Sequence, residues 1–595
     1  MAVNVKERDE TEYTWDLTPI YKDQDSWEKD FGKMEDRLNG ILDFKGKLGE
    51  SAENLKRCLE MEDEFDRLVK KLYVYAHLKN DEDLTNSFFQ GLYDRISSAN
   101  HQLSAKLAWI QPEIMAIDDK TMEEFLSSKE LAFYSFAIKQ MLRYKPHTLS
   151  NGEETIMALA GEVLGVPHKA FSSLTNADMK FPKVKNEAGE EEEMTHSLYS
   201  KYLESYDRKV REQAFHGMYS TFNGVINTTA ALLDGAIRQD IFKAKVRKYP
   251  SALEASLFND NVNKEVYTRL IETVNNNLPA FHEYVAFRKK ALKLDKIDMF
   301  DMYVPLVENF AQEINWDTAV KWVMASLKPL GEEYCEIAEK AFKERWIDVL
   351  ESKGKRSGAY SSGCYDSFPY ILMNYNNTLN SVFTLAHELG HSMHSYLSRE
   401  SQEYRYSSYP IILAEVASIT NEMLLLDYLL KETTDDKMKK YLLNYFCDSA
   451  KGTLFRQTQF AEFEMITHEK VEKGEPLTVD ELNKVYYDIN KRYYGPEVKP
   501  HEEIKYEWAR IPHFYYNFYV YKYATGFAAA NMISAGLLSR EKGRKDSYLK
   551  FLNAGSSDEP LNTLKKAGVD LASPEPVETG INRFRETVRE LMGMF

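Results

Sequence analysis

The stretch Thr384-Leu-Ala-His-Glu-Leu-Gly-His-Ser-Met-His-Ser-Tyr-Leu397 gathers three of the thirteen histidines in a chain of 595 residues. His387 and His391 are four apart, so a helix places both imidazoles on one face about a turn from each other, where both reach one ion. Glu388 lies about 100° further round, beside the metal position, where a carboxylate can take a proton from a water at an open coordination position. That is the logic of His-Glu-x-x-His. The competing reading is a helix whose histidines merely pack, and the scarcity of histidine weighs against it. Gly390 costs a helix about 1 kcal/mol relative to alanine, which predicts that another element packs closely there. His394 shares the face but lies seven residues from His387, roughly 10 Å along the axis and too far to join one tetrahedral ion; it reads as a buried or hydrogen-bonded neighbour.

The third ligand must come from another element. Ile411-Ile-Leu-Ala-Glu-Val-Ala-Ser-Ile-Thr-Asn-Glu-Met-Leu-Leu-Leu-Asp-Tyr-Leu-Leu430 is almost wholly apolar, yet carries Glu415 and Glu422 two turns apart on one face. An unpaired buried carboxylate costs several kcal/mol, so each needs a partner, either an arginine or a metal ion. Glu415, whose small neighbours let two helices approach, is assigned as the ligand, and Glu422 as the group that orients a ligand histidine. Two histidines, one glutamate and an open position describe a catalytic zinc site.

A third motif is Ile511-Pro-His-Phe-Tyr-Tyr-Asn-Phe-Tyr-Val-Tyr-Lys-Tyr-Ala-Thr-Gly-Phe527. Read as a helix starting at Pro512, it sets His513, Tyr516, Tyr519 and Tyr523 within about a third of the circumference, with Tyr515 and Tyr521 elsewhere. Such a stripe usually belongs to a core. Four polar-tipped rings on one face also suit donors to a developing oxyanion.

Composition narrows the class. A net charge of −17 spread along the chain argues against nucleic acid or an anionic membrane as partner. Cys58, Cys335, Cys364 and Cys447 form no Cys-x-x-Cys pair, which predicts no thiolate zinc site and no disulfides, and suits a reducing cytoplasm. The start, Met1-Ala-Val-Asn-Val-Lys-Glu-Arg-Asp-Glu10, has no apolar signal-peptide core, and no apolar run approaches the ~20 residues that span a bilayer.

Periodicity predicts helices over Trp27 to Arg143, Leu198 to Arg247, Lys264 to Lys290 and Ala311 to Ala341, and again after the histidine helix at Ile411 to Leu430 and Met438 to Lys470. Between Asp178 and His196 the period changes to that of a β-hairpin turning at Asn186-Glu-Ala-Gly189. Glycines and a short apolar run between Gly354 and Tyr375 mark loop and strand leading into the histidine helix.

His387-Glu-Leu-Gly-His391, Ala414-Glu-Val-Ala-Ser418, Lys355-Arg-Ser-Gly-Ala-Tyr360, Ile511-Pro-His-Phe-Tyr-Tyr-Asn-Phe-Tyr519 and Trp15-Asp-Leu-Thr-Pro-Ile20 together resemble the oligoendopeptidase F group of the thimet oligopeptidase family of zinc metallopeptidases. The likeness runs over nearly the whole chain. It implies a mainly α, zincin-like body with a deep channel for short peptides and a small β component near the site. It implies a helical N-terminal domain over 1–196 and a catalytic domain over 197–595. His387, His391 and Glu415 are then zinc ligands, Glu388 is general base and acid, and His513 with Tyr516 and Tyr523 are donors in the transition state. Gly358, Ala359 and Tyr360, the strand at Tyr370 to Asn374 and Tyr519 would hold the substrate. The expected activity is cleavage of internal bonds of short unstructured peptides; an exopeptidase of the same fold, or a non-catalytic helical peptide binder with a structural zinc, are the alternatives.

Overall fold

The three-to-four-residue spacing of apolar side chains is realised as helix almost throughout the residues that the computed structural model describes, 12–307 and 313–595. The protein is 69% helical with only small sheets, as the mainly α reading expects. Helix Ala52–Glu82 illustrates the cause: Leu55, Cys58, Leu59, Phe65, Leu68, Val69 and Leu72 form one buried stripe, and the Ser51 hydroxyl accepts the Asn54 N–H at 3.1 Å to cap its start.

By compactness the chain divides into two units, neither continuous in sequence. One comprises Met1–Pro146, Gln312–Tyr428 and Ile533–Gly568, the other His147–Ala311, Leu429–Met532 and Val569–Phe595.

In the second unit, β1 (Lys183–Lys185) and β2 (Glu191–Glu193) pair antiparallel with Lys183 opposite Glu193 and Lys185 opposite Glu191, so unlike charges face across the ladder. The Asn186 side-chain oxygen accepts the N–H groups of Ala188 and Glu190, each at 3.0 Å, and Gly189 takes φ 83°, closing the expected hairpin. The helix expected over Lys264 to Lys290 breaks into Lys264–Asn276 and Leu278–Ala291 at Pro279, which has no N–H to continue the ladder.

The first unit carries the sheet that frames the histidine helix. The start of the helix expected from Ala311 lies outside the described residues; its described part splits into Trp316–Ser326 and Glu332–Lys343 around Pro329 and Gly331, the latter at φ 93°. Three strands follow: β3 (Ile347–Leu350), β4 (Tyr360–Ser362) and β5 (Tyr370–Tyr375), in the order β3-β5-β4, with β3 parallel and β4 antiparallel to β5. The central strand is the apolar run, with Tyr370, Ile371, Leu372 and Met373 buried; β4 is an edge. Lys355 ties the glycine-rich loop back onto β3 through a buried 2.6 Å ion pair with Asp348 and a 2.6 Å bond to the Leu350 carbonyl. Trp346 stacks between Phe368 and Tyr396, at 4.9 and 5.5 Å, so the sheet is fastened to the helix that bears Tyr396.

That histidine helix, Leu379–Ser401, begins at the Thr378 cap, whose hydroxyl accepts the Ser381 N–H at 3.2 Å. It crosses the glutamate helix, Ile411–Glu432, at Gly390. A Cβ at Gly390 would lie 2.6 Å from Ser418 Cα, 2.7 Å from the Ala417 carbonyl oxygen and 2.9 Å from Ser418 N, so the two backbones touch. The Asn421 amide, buried one turn on, donates to the Ala386 carbonyl at 3.3 Å. Gly390→Ala should therefore lower stability by about 1–3 kcal/mol, because the obstruction is backbone and cannot rotate away. Calorimetric melting checks this; a variant that melts like the wild type would show that the helices are free to separate.

Candidate metal centre

The crossing at Gly390 sets His387 and His391 against Glu415. The two imidazoles meet at 4.8 Å and 84°. Their Nε2 atoms lie 3.5 and 3.7 Å from the same Glu415 oxygen, and one ligand atom of each residue lies within 4.8 Å of the others. Bonds of about 2.0–2.1 Å to a tetrahedral ion separate its ligands by about 3.3 Å, so the three groups fit one zinc ion with a few tenths of an ångström of adjustment.

Each ring is held from behind. His387 Nδ1–H donates to Glu422 Oε1 at 2.6 Å, and His391 is hydrogen-bonded to the Ala414 backbone, while Nε2 of each faces Glu415. Glu415 is steadied by the Ser418 hydroxyl, which donates to its carboxylate at 3.1 Å. Glu388 is buried, and burial raises its carboxyl to about 7, with Glu415 and Glu422 adding to the rise and His387 opposing it. Burial also depresses His387, but the hydrogen bond and charge of Glu422, then the charges of Glu388 and Glu415, outweigh it and hold that imidazole at about 9. His391, buried beside His387, falls to about 4. Three carboxylates thus surround one proton, a charge that a divalent ion can supply in its place.

His394 is 1% exposed, stacked on Tyr409 at 3.6 Å and packed against Phe551, outside the ligand group. Burial pushes it down to about 3, a neutral core histidine. One residue that sequence reasoning missed, Ser361, sits on β4. Ser361 bonds Ser392 of the histidine helix, hydroxyl to hydroxyl at 2.8 Å, and its backbone hydrogen-bonds Glu388. The Tyr360 hydroxyl donates to buried Asp81 at 2.8 Å and its ring stacks on His77, so its side chain is engaged in the fold. No local pattern links Asp81 to Tyr360. Gly358 takes φ 87° with open space at its Cβ position, and its carbonyl accepts the Asn374 amide at 2.8 Å; half-buried Ala359 lies between.

The tyrosine segment departs from the expected helix. A 3₁₀ turn spans Pro512–Tyr515, Asn517 and Phe518 are left-handed at φ 51° and 58°, and the α-helix starts only at Tyr521. Such φ values strain non-glycine residues, and tertiary bonds impose them here. The Phe518 N–H donates to the buried Glu464 carboxyl at 3.1 Å, and the Ser256 hydroxyl donates to the Asn517 carbonyl at 2.7 Å. The helical wheel therefore does not apply. The bend nevertheless gathers the same rings: His513 meets Tyr516 at 5.6 Å and Tyr523 at 6.1 Å, and Tyr519 meets Tyr523 at 5.4 Å. Tyr515 turns away to stack on Phe171 at 4.3 Å, and Tyr521 is fully buried.

A helical fold around a His-Glu-x-x-His helix with a facing glutamate defines a metallopeptidase class, and comparison with known proteins agrees. The family model for Peptidase family M3 matches residues 201–583 and that for Oligopeptidase F residues 113–181. The chain is 45% identical to oligopeptidase PepF of Bacillus subtilis over 98% of its own length and 87% of the relative's. It is 42% identical to group B oligopeptidase PepB of Streptococcus agalactiae over 98% and 97%. The crystal structure of oligoendopeptidase-F from Enterococcus faecium matches with a TM-score of 0.74 at 38% identity, covering 95% of this chain and 98% of that one. A crystal structure from Chlamydophila abortus matches with a TM-score of 0.94 at 37% identity, covering both chains fully. The chain belongs to peptidase family M3, a family of zinc metallopeptidases, and is a metalloendopeptidase. Among the described residues no helix is long and apolar enough to cross a membrane, and the four cysteines are free thiols.

Because His387 holds its proton up to about pH 9, a metal ion must displace that proton. Below pH 9 the imidazole is protonated and competes; as pH rises towards 9 competition fades, so affinity should climb about tenfold per pH unit between 7 and 9. Titration calorimetry near pH 8 in two buffers of different ionisation enthalpy should report about one proton released per ion bound. Buffer-independent heats with flat affinity would contradict this.

Proposed function

We propose that the chain cleaves internal bonds of short, unstructured peptides using one zinc ion per chain held by His387, His391 and Glu415. The observation that carries this reading is the pair of imidazoles with Nε2 directed at one Glu415 oxygen, His387 Nδ1 held by Glu422, beside a Glu388 carboxyl raised to about 7. When bound, zinc supplies a Lewis acid that polarises the scissile carbonyl and makes a water acidic enough to attack near neutral pH.

The remaining work falls to the chain. Glu388 accepts the proton of the attacking water on its carboxylate and delivers it to the departing amine nitrogen; a carboxyl near 7 is matched to both transfers. Glu422 acts as a positioning residue, holding His387 in the tautomer that presents Nε2. As an outer strand, β4 suits an extended peptide added as a further strand, bound through its backbone and therefore tolerant of side-chain identity. The open space at Gly358 lets that backbone come close, with Ala359 and Tyr360 continuing the same edge. His513, Tyr516 and Tyr523 are the proposed donors to the oxyanion, each contributing about 2.7–4 kcal/mol by analogy with other oxyanion holes, and Tyr519 supports Tyr523 and the substrate. On this reading 197–595 is the catalytic part and 1–196 the helical N-terminal part, acting on peptides in the cytoplasm.

Glu388→Gln should keep one zinc per chain and lose about 10²–10⁴-fold in kcat on an internally quenched peptide blocked at both ends. Near-native turnover by the zinc-loaded variant would remove Glu388 as the base.

A further inference from the structure

The second compact unit repeats the geometry of the metal centre with residues that no motif connects. Glu212 and His216 stand one turn apart on helix Arg208–Gly224, and His501 reaches them from the start of the 3₁₀ segment Glu502–Arg510. One ligand atom of each lies within 4.8 Å of the others. The two imidazoles meet at 4.9 Å and 88°, against 4.8 Å and 84° for His387 and His391.

The likeness extends to what stands behind the rings. His501 Nδ1 lies 2.7 Å from a carboxylate oxygen of Asp298, which is 3% exposed and itself held by the N–H groups of Met299 and His501 at 2.7 and 3.1 Å. His216 Nδ1 lies 3.0 Å from Glu503. A carboxylate on Nδ1 takes the ring proton there and leaves Nε2 with its lone pair, the arrangement found behind metal-binding histidines. Packing fixes the His501 ring further, with Phe300 and Phe215 at 5.8 and 6.3 Å. Half-exposed Glu212 and His216 have the rotamer freedom to close from separations within 4.8 Å to the roughly 3.3 Å a tetrahedral ion demands.

We propose that Glu212, His216 and His501 bind a second divalent ion of the zinc type, with water completing its coordination. The site is a clamp and not a second reaction centre, since Gly217 stands after His216 where Glu388 follows His387. It binds more weakly than the first because its ligands are more exposed and compete with solvent. The ion joins helix Arg208–Gly224 to the segment that runs into Pro512 and His513, so its occupancy stiffens the approach to the His513 ring cluster.

Titration calorimetry of the full chain with Zn²⁺ tests this. The wild type should show two classes of site, His216→Ala and His501→Ala the tighter class alone, and Glu503→Gln a weaker class lowered about 10–100-fold in affinity. Peptidase turnover at one equivalent of zinc should be unchanged in all three variants. A wild type that saturates at one equivalent, or a second equivalent retained by His216→Ala, would overturn the proposal.

Discussion

The metal centre exists because two helix backbones touch at Gly390. Any side chain there would lift the histidine helix from Ser418 and draw the imidazoles away from a glutamate whose reach is short. Three polar links lie within a turn or so of that contact: His387 to Glu422, His391 to the Ala414 backbone, and Asn421 to the Ala386 carbonyl. Each needs the close approach, and each in turn resists separation. The small residues Ala414, Ala417 and Ser418 on the facing helix are the other half of the same fit.

Within that frame burial separates the titrating groups into roles. The Glu388 carboxyl rises towards neutrality, His391 falls to about 4, and His387, tied to Glu422, is held near 9. Groups of similar chemistry thus become a proton acceptor, a neutral ligand and a proton that a cation replaces. The cluster around His216 and His501 uses the same carboxylate-behind-imidazole support but has Gly217 where the first site has Glu388, which marks support and reactivity as separable.

Much of this was legible in the chain. The spacing of His387 and His391 demands a helix, the seven residues from Glu415 to Glu422 demand a shared face, and Gly390 in a helix otherwise poor in breakers marks a close contact. What was not legible depended on partners distant in sequence. The tyrosine segment reads as a helix from its own residues, and Glu464 and Ser256 override that preference by holding Asn517 and Phe518 left-handed. Asp81 claims the Tyr360 hydroxyl from far along the chain, and His501 meets His216 in the same way. Pro279 and Gly331 were visible breakers inside patterns whose apolar periodicity ran straight through them.

Anomalous diffraction at the zinc edge, from crystals of the full chain loaded with one equivalent, tests the central claim most directly. The account predicts one strong peak about 2.0–2.2 Å from His387 Nε2, His391 Nε2 and a Glu415 oxygen, with Glu422 remaining on the Nδ1 side of His387. A peak bonded to Glu422 in place of Glu415, or no peak at the histidine helix, would contradict it.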